Sequence, residues 1–129
     1  MTERPADLAR FLRGETDPAT FTHREHVRMA FELLRRYDFP EAALHYSRAL
    51  EAVTARAGVP GKFHQTITVA FLSLIAERLF EHGPGTFETF AEAHADLLDA
   101  AVLLRLYGAE RLASAAARTT FLLPTTPAR

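Results

Sequence analysis

Three histidines carry the spacing in this sequence that could do chemistry. His23 and His26 are three residues apart, and His64 opens the segment His64-Gln65-Thr66-Ile67-Thr68. Imidazole is the side chain that normally changes charge near neutral pH. Gathered in one cavity, three imidazoles can serve a small substrate as general base or acid, hold a divalent metal, or form a buried polar network. In the catalytic reading His23, His26, His64 and Thr68 do the work, with His64 or His23 moving the proton. In the metal reading His23, His26 and His64 would bind zinc, nickel or iron and leave a position open. No Asp or Glu falls on the same helical faces near them, so no metal is assigned and no cofactor is expected.

The elements that must position these groups are helices. At ~100° per residue, Val27, Ala30, Phe31, Leu33, Leu34 and Tyr37 mark the apolar arc of one helix, and His23 and His26 fall inside it. A second arc is set by Ile67, Phe71, Leu72, Leu74, Ile75 and Leu79, with His64 at its centre and Thr68 one turn on. Both histidine groups open their helices, so an antiparallel pair would hold them apart. A helix of about 18 residues between them spans roughly 27 Å and returns the chain to its starting end. An up–down–up order therefore brings His23, His26 and His64 together.

Glycine and proline cut the chain at helix-sized intervals. Helices are predicted over 5–13, 23–37, 39–57, 62–81 and 87–95, with further helical pieces over 96–107 and 109–118 broken at Gly108. Residues 121–124 are expected to form an extended arm. Thr22-His23-Arg24-Glu25 has the spacing of a reciprocal capping box. Asp38 precedes Phe39-Pro40-Glu41, the pattern of an N-cap with proline in the first turn. Alternating β-branched segments are missing, so the fold expected is all-α: one domain over 1–129, a bundle of five to seven helices.

Several classes are disfavoured by composition. There are no cysteines, hence no disulfide scaffold or thiolate site. The formal charge is −1, which points to neither a nucleic-acid nor an anionic-membrane partner. No apolar run approaches the ~20 residues of a bilayer span. Met1-Thr2-Glu3-Arg4-Pro5 lacks signal-peptide character, so a cytoplasmic location is expected.

Around the histidines, Phe31, Tyr46, Phe71 and Gln65 are expected to contact a substrate. Among fourteen arginines and one lysine, most arginines are assigned to solvated faces, Arg24, Arg28, Arg35 and Arg36 included. Arg78 shares the apolar phase of its helix and needs an anion, either Asp96, Asp99 or an anionic substrate. Arg118 either clamps the C-terminal arm or reaches the pocket. His82 and His94 read as exposed residues near helix ends, and His45 lies at the margin of an apolar face.

The segments from Phe21 to Phe31 and from Gly61 to Thr68, with Ala117-Arg118, Phe121 and Pro124, resemble a family of small bacterial all-helical proteins. Its marks are F-x-H-x-x-H and (Y/F)-H-x-T-I-T, and no activity is established for it as a whole. The pattern carries over onto Phe21, His23, His26, His64, Thr66, Thr68 and Arg118. Similar sequences read Y-H-E-T-I-T where this one has Phe63 and Gln65, and they carry an acid where this one has Thr125. Those departures imply an alternative role as accessory subunit to a homologous partner.

The sequence thus leads to a small biosynthetic enzyme, or a subunit of one. Its pocket would take a small anionic or polar metabolite and perform a cofactor-independent elimination, isomerisation or ring closure. The alternatives are a binding subunit docked on a homologue or on a second copy, and a histidine-coordinated metal protein. Apolar segments over 100–107 and 121–123 would supply the docking surface.

Overall fold

The computed structural model describes residues 5–124, with side chains from Asp7 onwards. Met1-Thr2-Glu3-Arg4 and Thr125 lie outside the described residues. The fold is all-α, with eight α-helices and no strand among the described residues. Five helices are substantial: α1 (Pro5–Leu12), α2 (His23–Arg36), α3 (Phe39–Arg56), α4 (Gln65–His82) and α5 (Phe87–Ala93). Three single-turn helices follow: α6 (Leu104–Tyr107), α7 (Ala109–Leu112) and α8 (Ala115–Thr119). Short 3-10 turns occupy Pro18–Thr20, Pro60–Lys62, Ala95–Leu98 and Ala100–Leu103.

Caps set most of the helix starts. Thr22 accepts the Glu25 N–H at 3.3 Å, Asp38 accepts the Glu41 N–H at 3.1 Å, and Thr86 accepts the Thr89 N–H at 3.2 Å. Each satisfies a backbone donor that the first helical turn leaves free. The expected reciprocal box at α2 forms only halfway. The Glu25 carboxylate turns instead to Arg28, at 2.7 Å, because a guanidinium is a stronger partner than a single N–H. The fourth helix also starts later than expected, at Gln65 rather than near residue 62, because His64 caps it.

The second, third and fourth helices pack on one another, and α4 also meets α8 and the Ala100–Leu103 turn. Its many neighbours explain why α4 is so apolar. Phe11, Phe31, Phe87, Phe90, Met29, Leu33, Leu72, Ile75, Leu97 and Leu103 form the fully buried centre of one core. Gly14 lets α1 approach α3. Its φ is +74°, and a Cβ there would meet the Ala52 Cβ at 3.1 Å, so only glycine fits without strain.

Beyond α5 the chain breaks up more than expected. Residues 95–119 form five short turns instead of two helices. Asp99 and Ser114 bond backbone N–H groups two and three residues ahead, and Gly108 has φ +82°. Side-chain caps and a left-handed glycine each stop a helix within a turn. The arm over 121–124 lies outside any helix, as expected. Thr66 Oγ1 donates to the Thr120 carbonyl at 2.8 Å and accepts the Leu122 N–H at 3.0 Å. Tyr107 OH donates to the Leu122 carbonyl at 2.8 Å, and Arg111 Nε to the Leu123 carbonyl at 3.0 Å.

Candidate functional site

The eighteen residues of α3 carry the chain back, so that α2 and α4 begin at the same end of the bundle. His23, His26 and His64 there line one cavity of about 270 Å³. Tyr46, Thr68 and Phe71 line it as well, together with Val27, Leu50, Thr54, Lys62, Phe63, Ile67 and Ala100. No carboxylate is among these residues. A larger cleft of about 420 Å³ is lined by Asp7, Asp17, Phe21 and Glu25 among others. Its Asp7 and Glu25 are paired with Arg28 and its Asp17 caps the Pro18–Thr20 turn. Those charges are spent within the protein, so the smaller cavity is the chemical candidate.

The three imidazoles are in different hydrogen-bonding states. His64 is saturated. Its Nδ1 accepts the Ile67 N–H at 3.1 Å, which requires a lone pair on that atom. The proton is therefore on Nε2, which donates to the Leu112 carbonyl at 2.6 Å. Thr68 is committed too, donating from Oγ1 to the His64 carbonyl at 2.7 Å. The conspicuous His64–Thr68 segment thus caps α4 and, through His64 and Thr66, docks the C-terminal stretch.

His23 is half-committed. Its Nε2 lies 3.0 Å from the Leu97 carbonyl. A carbonyl only accepts, so Nε2 carries a proton and the neutral ring keeps its lone pair on Nδ1. The ring packs edge-on against Phe71, with centroids 4.9 Å apart.

His26 is uncommitted. Its Nδ1 is buried with no hydrogen-bond partner, and Phe21 covers one side with centroids 4.3 Å apart. Burial and the nearby His23 lower its pKa from 6.5 to about 4. The Thr22 backbone opposes that shift, and its carbonyl also accepts the His26 backbone N–H at 3.0 Å. At neutral pH this ring is uncharged. Tyr46 donates its hydroxyl to the His26 carbonyl at 3.1 Å, and burial pushes its phenol pKa up, so it stays protonated.

Four expected contacts are placed elsewhere. Phe31 is core, against Phe87 at 5.5 Å and Phe90 at 5.3 Å; it shares the face of His23 but lies about 12 Å further along the axis. Gln65 points to α3, its Nε2 donating to Ser47 Oγ at 3.1 Å. Arg78 makes a two-pronged pair with Asp96, at 2.9 and 2.7 Å, the ion-pair alternative expected for it, and is therefore not a substrate contact. Arg118 neither clamps the arm nor lines the cavity, donating instead to the Gly61 carbonyl at 3.0 Å. Arg111 holds the arm instead.

Other charged residues also differ from expectation. Arg28 is 7% exposed rather than solvated, held between Asp7 at 3.1 Å and Glu25 at 2.7 Å. His82 and His94 are half-buried and meet ring to ring at 5.5 Å. Of the apolar stretch over 100–107, Val102, Leu103 and Tyr107 enter the core, while Leu104 and Leu106 stay exposed. Lys62, Leu50, Thr54 and Ala100 line the cavity too, and the histidine spacing gives no sign of them.

Among the described residues no group of three or more His, Cys, Asp or Glu is placed to hold a metal, and His64 would have to break two hydrogen bonds to ligate. No helix is long and apolar enough to cross a membrane among the described residues. No protein-family model, curated protein or solved structure matches this chain.

Proposed function

We propose that the chain is a small-molecule enzyme of the biosynthetic type. It takes a small polar or anionic metabolite into the histidine-lined cavity and moves a proton without a cofactor. The observation that supports this is the His23–Leu97 hydrogen bond of 3.0 Å in the wall of a cavity of about 270 Å³. A backbone carbonyl that fixes one ring nitrogen as N–H leaves the other as an oriented base. The proton moves from a C–H or O–H of the substrate to His23 Nδ1. The imidazolium that forms is stabilised through Nε2–H by the Leu97 carbonyl. His26, uncharged at neutral pH, adds a polar group to the wall without competing for the proton. An elimination, isomerisation or ring closure needs no more equipment than this.

Proton transfer at carbon can be read without knowing the substrate. The protein is incubated in deuterated water with a panel of ketones, 1,3-dicarbonyl compounds and unsaturated acids, and deuterium uptake is followed by NMR. Wild type is expected to label at least one member. His23→Gln keeps an N–H for the Leu97 carbonyl but has no base, and should lose at least about a hundredfold in rate. Undiminished labelling by a folded His23→Gln variant, or no labelling of any panel member by wild type, overturns the proposal.

A second reading, a non-catalytic binding subunit, is favoured by one observation. His64, Thr66 and Thr68 all spend their polar atoms on the backbone. In that reading the cavity holds a ligand and the labelling test is negative while binding persists. A partner or second copy would meet exposed apolar side chains such as Phe80, which is 91% exposed.

A further inference from the structure

The cavity contains three imidazoles and one permanent cation, Lys62, and no carboxylate lines it. Lys62 is exposed and lines the cavity, which puts it at the mouth. It is the only lysine in a chain whose other fourteen basic residues are arginine. Its ammonium forms no ion pair with the described residues, whereas the arginines expected to hold an anion are occupied. Arg78 is neutralised by Asp96, and Arg118 is bonded to the Gly61 carbonyl. That last contact fixes the Pro60–Lys62 turn, and with it the backbone that carries Lys62. The remaining walls are mostly apolar, among them Val27, Leu50, Ile67 and Phe71.

We infer that Lys62 is the anion-binding residue of this cavity and that its ligand is a small monoanion, a carboxylate borne on an apolar body. The carboxylate meets Lys62 at the mouth, and the body lies against Leu50, Ile67 and Phe71. The cavity has room for about nine waters, which suits a ligand on the order of ten non-hydrogen atoms. A single cation and no second cationic side chain in the lining favour one negative charge over two. An unpaired ammonium at the mouth also draws anions in. Arg118 acts through the turn and is a positioning residue. The inference rests on the cavity being a ligand site, as proposed above, and names the class of ligand.

The test compares matched pairs of probes, hexanoate with hexanamide and 3-phenylpropionate with 3-phenylpropanamide. Binding is followed by NMR on the His23 and His26 ring protons of the full chain. At least one acid is expected to bind and to shift those rings, and its amide to bind about tenfold more weakly, the equivalent of about 1.4 kcal/mol. Lys62→Met keeps the apolar stem and should weaken the acid about tenfold while leaving the amide unchanged, and Lys62→Arg should restore the acid. Arg118→Met should weaken the acid and leave the amide unchanged. Equal affinity for acid and amide, or an acid indifferent to Lys62→Met, overturns the role of Lys62 while the cavity remains a ligand site. If neither acid nor amide moves the ring protons, the monoanion class falls, and the labelling test then decides the fate of the enzymatic reading separately.

Discussion

His64 Nε2 and the Leu112 carbonyl are 2.6 Å apart and join residues separated by 48 positions. The same ring caps α4 through its other nitrogen. One side chain therefore starts a helix and fastens a distant turn to it.

Replacing this ring should be expensive for stability. His64→Ala removes a cap and leaves a buried carbonyl unpaired, which together cost about 2–4 kcal/mol. His64→Asn restores the cap without reaching Leu112 and should recover about 1 kcal/mol of that. Chemical denaturation of the three proteins checks the order. An Ala variant as stable as wild type would show that the clamp contributes nothing.

Thr66→Val keeps the shape of a fully buried side chain and deletes its hydroxyl. The Thr120 carbonyl and the Leu122 N–H both lose a partner, for about 1–3 kcal/mol. Hydrogen exchange at the Leu122 amide should accelerate well beyond that of amides inside α2.

Stability should fall on the acid side because of His26. Its pKa is 6.5 unfolded and about 4 folded. Between those values the unfolded chain binds more protons, so stability rises with pH across that window and is complete above pH 6.5. The contribution is on the order of 3 kcal/mol between the two limits. His94, also shifted down, acts with the same sign. Asp96, held below 3.8 by Arg78, acts at lower pH. His26→Leu should flatten the pH 4 to 6.5 slope in denaturation measurements and raise stability at the low end.

The two arginine ion pairs should differ in weight. Arg28 has a side chain only 9% exposed and faces two carboxylates. Arg28→Met should destabilise by about 2–4 kcal/mol. Arg78 and Asp96 are 26% and 46% exposed, and Arg78→Met should cost less than about 1 kcal/mol. Thermal melts of the two variants, measured side by side, decide the point.

The clustering of the imidazoles was legible because it follows from helix phase and chain return. His23, His26 and His64 lie on apolar arcs, and a helix of eighteen residues between them fixes which ends meet. Height along a helix was harder to use. Phe31 and Arg78 have the right phase, yet lie about 12 and 21 Å along their axes from His23 and His64. The acceptors were not legible at all. Leu97 and Leu112 bind imidazoles through carbonyls that every residue owns, so no residue type announces them. Lys62 is not legible either, because a lone exposed lysine next to glycine carries no periodic signal.

His23 and His64 tie the fragmented stretch after α5 to the openings of α2 and α4, through Leu97 and Leu112. Five short turns have too few repeating backbone bonds to hold a shape by themselves. Their order is borrowed from helices completed earlier in the chain. The stretch over 95–119 therefore owes its shape to the three-helix scaffold, and loosening the opening of α2 or α4 would release it.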